Sequence, residues 1–437
     1  MQSLLIKNGL LIDPASKTER KGDLLIKNGR ISAVGKRFAY APGEMEIYDA
    51  SGMWVFPGFI DLHVHAREPG GEAAETLRTA ARAAAAGGIT SVLLMPNTRP
   101  PMDSPPLLRK FIIKARHRCP VNVFFAAAAT ASRAGKKLSP LKKLKAAGAA
   151  AFTDDGATLA GPALLLSALK AAKKLKIPLL DHPEDFAVAG KGVVDESAAK
   201  RLKLPAITRE AEIFAVLRDI FAAGSAGPIH LQHLSCAESV AAVRAAKKRG
   251  LPVTAETCPH YFSLSSGDIK QPNADFKMKP PLRRENDRLA VIRGLADGTI
   301  DAIASDHAPH RAAEKALGFI KAPFGIIGLE TMVSLALTEL VGKGRINRLR
   351  LAELLSLNPA RILGLKTKGA LKKGFDADLT IIDPLAVFTV KNAFFSKSSN
   401  SPFIGRRLRG RSETVIVAGR LVFSGGRFFK LRALRNM

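Results

Sequence analysis

Apolar and polar positions along the chain fall into two textures. From residue 1 to about 58, and again from about 367 to 437, short apolar runs are broken by turn residues: SLLIKNGLLID, GDLLIKNGRISAVG, DADLTIIDP and TVIVAGRLVFSGG. Such runs predict short strands, and Asn8-Gly9 and Asn28-Gly29, each set between apolar residues, signal hairpins. Neither end holds enough apolar surface to stand alone. The two are therefore expected to pair into one small β domain, built from segments 1–58 and 367–437.

Between them, over 59–366, apolar runs of strand length alternate with Ala/Leu/Lys-rich amphipathic stretches. Strands are expected at 59–64, 89–95, 121–127, 149–153, 177–181, 229–234, 252–257 and 300–305. Helices are expected at 73–86, closed by Gly87-Gly88, at 162–175, opened by Pro162, at 209–223, at 237–249, closed by Gly250, and at 285–296. Two more follow near 328–341 and 351–357. Eight repeats of β then α over some 250 residues predict an α/β fold of the (β/α)8 or TIM-barrel type. A doubly wound sheet would need a Gly-rich phosphate turn after an early strand, and the sequence has none.

Composition adds limits. The 437 residues are 47% hydrophobic and 24% charged, the balance of a globular enzyme. No run approaches the 18 or so apolar residues of a membrane span. Lys7 and Asp13 interrupt the start where a signal peptide needs an apolar stretch, so a cytoplasmic location is the expectation. Cys119, Cys236 and Cys258 are too few and scattered for a disulfide framework and read as buried free thiols. Lys and Arg outnumber Asp and Glu by 67 to 38, a formal charge of +29. The excess is dispersed in pairs such as Lys142-Lys143, Lys247-Lys248 and Arg406-Arg407, without a nucleic-acid signature, so nucleic acid is not an expected partner. A basic exterior instead favours an anionic substrate.

The chemistry sits at the predicted strand ends. His63 and His65 stand two apart on the first strand, so alternation sends both to one face. The fourth strand ends in Phe152-Thr153-Asp154-Asp155-Gly156, the fifth in Asp181-His182-Pro183-Glu184-Asp185, the sixth in Gln232-His233 and the eighth in Ser305-Asp306-His307-Ala308-Pro309-His310. Barrel active sites lie at these carboxyl ends. Of nine histidines, five (His63, His65, His182, His233 and His310) fall at this rim, and His117 alone looks helical. Imidazole with carboxylate suits zinc and related ions. Four histidines and two aspartates exceed what one open tetrahedral site needs, and suit two ions sharing a bridge. Asp155 is the expected bridge, with His63, His65 and Asp306 around one ion and His182 and His233 on the other. Asp154 and Asp185 are assigned to supporting or capping roles that orient the ligands.

These residues resemble the amidohydrolase superfamily, and within it the monofunctional bacterial dihydroorotases. The resemblance runs nearly end to end: Pro57 through Gly70, Met95-Pro96-Asn97-Thr98, Phe152 to Gly156, Ser305 to His310, Pro323-Phe324-Gly325, Gly328-Leu329-Glu330-Thr331, Asn358-Pro359-Ala360-Arg361 and Ser401-Pro402-Phe403-Ile404-Gly405. It implies two Zn2+ per chain bridged by Asp155, where many relatives carry a carboxylated lysine. It also implies reversible cyclisation of N-carbamoyl-L-aspartate to L-dihydroorotate with loss of water, in pyrimidine synthesis. Asp306 is implied as general base and then general acid. His65, Arg67, Asn97, residue 279, His310, Phe324 and Gly325 are implied as substrate contacts. Arg67 marks specificity, because a guanidinium fork grips a carboxylate; similar allantoinases generally carry Asn there, and hydantoinases lack the run Arg67-Glu68-Pro69-Gly70. Where the family usually has Asn, this chain has Lys279, which can donate but not accept. Segment 311–321 is expected to form a mobile rim loop. A homodimer and a complex with aspartate transcarbamoylase are further implied partners. The rival readings are a hydantoinase- or allantoinase-like enzyme on the same core and an inactive scaffold, the latter disfavoured by six intact ligands.

Overall fold

The structure is a computed structural model and describes residues 3–38, 45–159 and 161–429. The ends of both predicted terminal segments, at residues 1–2 and 430–437, lie outside the described residues. Eight strands pair in parallel in chain order: Phe59–Val64, Ile89–Leu94, Asn122–Ala128, Ala151–Thr153, Leu179–Asp181, Ile229–Leu231, Val253–Thr257 and Ala302–Ile303. The ring nearly closes where His65 N donates to His307 O at 2.9 Å. Eight parallel strands wrapped by helices give the expected TIM-type barrel.

Its interior is filled by Ile60, Leu62, Leu93, Met95, Ala126, Ala151, Leu180, Ala302 and Ala304, plugged from one end by Ala360 and Leu363. Several of these are alanines, which keeps the layer thin and leaves room above for polar side chains. The outward set, Phe59, Val64, Val92, Leu94 and Ile229 among them, packs on the helices. On the first strand the inward residues begin on even numbers, Ile60 and Leu62, yet Val64 faces outward. The reason is a register shift against the second strand between Asp61 and Val64. Without that bulge, strict alternation would send His63 and His65 to the helical side; with it, both reach the barrel mouth.

The helices at Pro162–Leu175, Glu210–Ala226, Ala237–Lys248 and Glu285–Asp297 fall where the pattern places them, and the first predicted helix is shorter, Leu77–Ala86, capped by Thr76. Further helices lie outside the predicted ranges. Pro105–Arg118, which carries the helical His117, buries Leu108, Phe111 and Ala115 at helical spacing, Leu141–Ala146 buries Leu141 and Leu144, and Ala312–Lys315 and Gly318–Lys321 stand in the segment expected as a rim loop. Among the described residues no helix is long and apolar enough to cross a membrane.

Strands from both termini form one nine-stranded sheet. They join where Trp54–Pro57 pairs antiparallel with Leu379–Thr389. Leu4, Ile6, Leu24, Ile26, Val55, Leu379, Ile381 and Ile416 share its core. Asn28-Gly29 is the expected hairpin turn, both residues at positive φ, between Thr18–Lys27 and Arg30–Gly35. The hairpin expected at Asn8-Gly9 is absent. Ser3–Asp13 runs through it as one strand, with a bulge between Ile6 and Gly9. A Cβ at Gly9 would come within 2.6 Å of Val55 Cγ2, so glycine here serves strand packing and not a chain reversal.

The segment around residue 400 ties this sheet to the barrel mouth. Glu330 accepts from the backbone N–H of Phe395 and Ser396, and Ser396 Oγ donates to Glu75 at 2.5 Å. Burial lifts the Glu330 carboxyl to about 7 against the opposing N–H bonds, with the charge of Glu75 adding to the rise. The folded chain therefore holds a proton that the unfolded chain releases between its ordinary 4.5 and 7. That contribution is complete below pH 4.5 and is lost as pH rises through 7. Wild type is expected to lose more thermal stability than Glu330→Gln between pH 5 and 8, as melting curves of both proteins will show; parallel profiles would refute it.

Candidate metal centre

Six side chains from five strand ends meet in the barrel mouth around Asp155. Its Oδ1 lies 3.2 Å from His63 Nε2, 3.5 Å from His182 Nδ1 and 3.8 Å from His233 Nε2, and its Oδ2 lies 3.5 Å from His65 Nε2. Asp306 Oδ1 approaches His65 Nε2 at 3.2 Å and His63 Nε2 at 3.6 Å. His233 Nε2 and His182 Nδ1 stand only 2.8 Å apart. All six are buried. His63, Asp155 and His233 converge closely enough to hold an ion, as do His63, His65 and Asp306. Three residues of the mouth hold strained positive φ: Arg67 at 56°, His233 at 36° and Asp306 at 45°. Strain of this kind concentrates at working sites.

Three of the four histidines are aimed by a partner on the far nitrogen. His63 Nδ1 meets Glu256 Oε1 at 3.0 Å and Gln232 Nε2 at 3.1 Å. His65 Nδ1 meets Asn97 Oδ1 at 2.9 Å, and His182 Nε2 meets Glu184 Oε2 at 3.1 Å. A bond on one ring nitrogen turns the other, with its lone pair, toward Asp155. The sequence reading missed Glu256, Glu184 and Gln232 in this role. Asp154 and Asp185 stand apart: Asp154 accepts from Thr130, and Asp185 caps the short helix Phe186–Ala189. A second helical histidine, His260, lies buried with Nε2 unpaired, near Cys258 and Asp306.

The electrostatics call for positive charge. Burial alone would raise the Asp155 carboxyl, yet the facing histidines pull it well below the carboxylate range; Asp306 is lowered in the same way. Against the cost of burial, Asp155 and Asp306 raise His63 well above its ordinary value. Asp155 and Glu184 lift His182 to about 9. Protons therefore gather where a divalent cation would sit. His63 Nε2, which faces Asp155, is a buried polar atom without a hydrogen-bond partner among the described residues. An orphaned imidazole nitrogen, two anionic carboxylates and near-complete burial fit a metal centre.

One side of the mouth is cationic. Arg67 Nε donates to Pro309 O at 3.1 Å, and its Nη2 lies 3.1 Å from His310 Nε2, which lies 2.8 Å from Phe324 O. Among the described residues no carboxylate pairs with Arg67. Burial lowers its guanidinium to about 10, still charged at neutral pH, while burial, and then Arg67, press His310 down to about 3 and keep it neutral. Asn400, unforeseen in the sequence, accepts from His310 N and donates to Ala308 O and Gly325 O, setting this wall. Lys279 Nζ is 3.0 Å from Glu184 Oε2.

Comparison with known proteins agrees with this geometry. The model of the amidohydrolase family matches residues 54–422. A dihydroorotase of Pelobacter propionicus is 43% identical over 424 residues, covering 96% of this chain and 99% of that one. A dihydroorotase of Geotalea daltonii is 44% identical over 423 residues, with 96% and 99% covered. Among solved structures, an L-hydantoinase of Arthrobacter aurescens superposes with a TM-score of 0.88 at 24% identity, covering 98% of each chain, a likeness of fold. A dihydropyrimidinase of Brevibacillus agri gives 0.86 at 25% identity, covering 98% of this chain and 96% of that one. The chain belongs to the amidohydrolase family, in the branch formed by the dihydroorotases.

Proposed function

We propose that this chain is a metal-dependent dihydroorotase, interconverting N-carbamoyl-L-aspartate and L-dihydroorotate in pyrimidine synthesis. The observation that carries the substrate is Arg67: a charged guanidinium without a carboxylate partner, beside six convergent metal-ligand side chains. In this reading Zn2+ would be the metal, two per chain: His63, His65 and Asp306 would hold one ion, His182 and His233 the other, and Asp155 would serve both. When bound, such ions lower the pKa of water and polarise an amide carbonyl.

The residues of the chain do the rest. Arg67 and His310 hold the substrate carboxylate, and the backbone at Phe324 and Gly325 lines the same wall. Asn97, whose oxygen is taken by His65, has an NH2 without a partner among the described residues, which donates to the ring. Asp306, held anionic by its neighbours, takes the proton of the attacking water. As the ring C–N bond breaks, it returns that proton to the leaving nitrogen. Ring closure runs the same steps backwards: the carbamoyl nitrogen attacks the carboxyl carbon and gives its proton to Asp306, which passes it to the departing oxygen, and with one further proton taken up from solvent that oxygen leaves as water.

A hydantoinase-like activity is the second reading, favoured by the fold likeness above. A homodimer goes with the main reading, supported by Phe214, Leu217 and Phe221, exposed along one face of Glu210–Ala226. A complex with aspartate transcarbamoylase has no comparable support in the residues. The three free, buried cysteines accord with a reducing cytoplasm. Purified protein is expected to contain about two zinc ions per chain, the number a bridged pair requires. Assayed on carbamoyl-aspartate, dihydroorotate, allantoin, dihydrouracil and hydantoin, it is expected to turn over the first two. Preference for an uncharged ring would give the function to the second reading.

A further inference from the structure

Lys279 has no part in the chemistry above, yet its surroundings are specific. Its Nζ lies 3.0 Å from Glu184 Oε2 and stands over the rings of Phe186, at 4.5 Å, and Phe324, at 5.3 Å. The same carboxylate oxygen is 3.1 Å from His182 Nε2. The other nitrogen of His182 faces Asp155 Oδ1 at 3.5 Å and His233 Nε2 at 2.8 Å. The Phe186 ring lies nearly parallel to His182, with centroids 6.0 Å apart. One buried oxygen is thus shared between an ammonium and the outer nitrogen of an imidazole.

We infer, resting on the metal reading of the site, that Lys279 is a positioning residue: through Glu184 it holds His182 as an Nδ1 donor to the cation shared with His233 and Asp155. The steps are physical. An imidazole whose Nε2–H is given to a carboxylate has only Nδ1 left for a metal. Glu184 can fill that role only as an anion aimed at Nε2, and a buried anion without a counter-charge is costly. Lys279 supplies that charge, and the two aromatic faces flank its ammonium. The neighbouring Lys277 is engaged elsewhere, on the carbonyls of Ile320 and Ala322. With its charge paired inward, Lys279 leaves the substrate carboxylate to Arg67. The competing account is a direct contact between Lys279 and substrate.

Zn2+ alone, titrated into metal-stripped full-length protein against a chromophoric chelator, separates the two. Lys279→Met and Glu184→Gln are each expected to weaken one of the two Zn2+ affinities about 10- to 100-fold, the usual cost of losing such an outer partner. The double variant is expected to be no weaker than the worse single one, because the residues act in series. At saturating Zn2+ the KM for dihydroorotate in Lys279→Met is expected to stay within about twofold of wild type. Lys279 is 20% exposed at the rim, so its removal leaves the core intact; Glu184→Gln carries the same expectation by itself if the lysine variant fails to fold. Unchanged Zn2+ affinity with a raised KM overturns the inference in favour of substrate contact. Additive losses in the double variant overturn the series. A wild type that holds no Zn2+ refutes the metal reading and the inference with it, a result distinct from wild type and variants binding Zn2+ equally.

Discussion

Asp306→Asn is expected to cut kcat by about three orders of magnitude, within the range that a single acid–base group supplies. The change is nearly isosteric, and asparagine keeps an oxygen to face His65, which lies 3.2 Å from the native carboxylate. What it loses is the capacity to take a proton from water and pass it to a ring nitrogen. The native carboxylate is kept ionised by its neighbours, so its oxygens are free to accept, and its backbone is held at the unfavourable φ of 45°. KM should move little, because in the proposed reaction Asp306 serves the reacting atoms and not the recognition groups. Metal content and melting temperature measured on the same sample separate lost proton transfer from a lost ion or a lost fold. A variant retaining more than about a tenth of wild-type kcat at full metal load would show that Asp306 is not the proton carrier.

How much of this was legible in the sequence depends on range. The six convergent residues could be read because each sits at a predicted strand end, and a barrel delivers all its strand ends to one mouth. The bulge that makes the first strand obey this rule could not be read. It depends on pairing with residues 91–94, and a hydrophobic pattern carries no register. Asn8-Gly9 misled for the same reason: a local hairpin signal was overridden by Val55 packing against the glycine. Glu256 and Glu184 were missed because a single carboxylate beside a strand end looks like any solvated one. Glu184 stands two residues beyond His182 and Glu256 three before the Pro259 that stops its strand, but only the fold brings them behind their imidazoles. The helix Pro105–Arg118 was legible in principle, since Leu108, Phe111 and Ala115 keep helical spacing behind Ser104 and two prolines. Asn400 had no signal, lying some 90 residues from His310.

The second large effect concerns substrate choice. Arg67→Met is expected to lower kcat/KM for dihydroorotate by about 100- to 1,000-fold, the 2–5 kcal/mol that losing one side of a buried, hydrogen-bonded charge pair typically costs. Any residual hydrolysis of dihydrouracil, which has no carboxylate, should change little or improve. Arg67 is tied to Pro309 O and placed beside a neutral His310, with no anion of its own among the described residues. A half-buried cation in that state costs stability until substrate arrives. Its removal is therefore expected to leave the melting temperature unchanged or raise it, the opposite of what a structural arginine would show. The two measurements bind the argument together: selectivity falls while stability does not. Equal losses on both substrates, or a protein that melts well below wild type, would mean that Arg67 supports the mouth and that the carboxylate is recognised elsewhere.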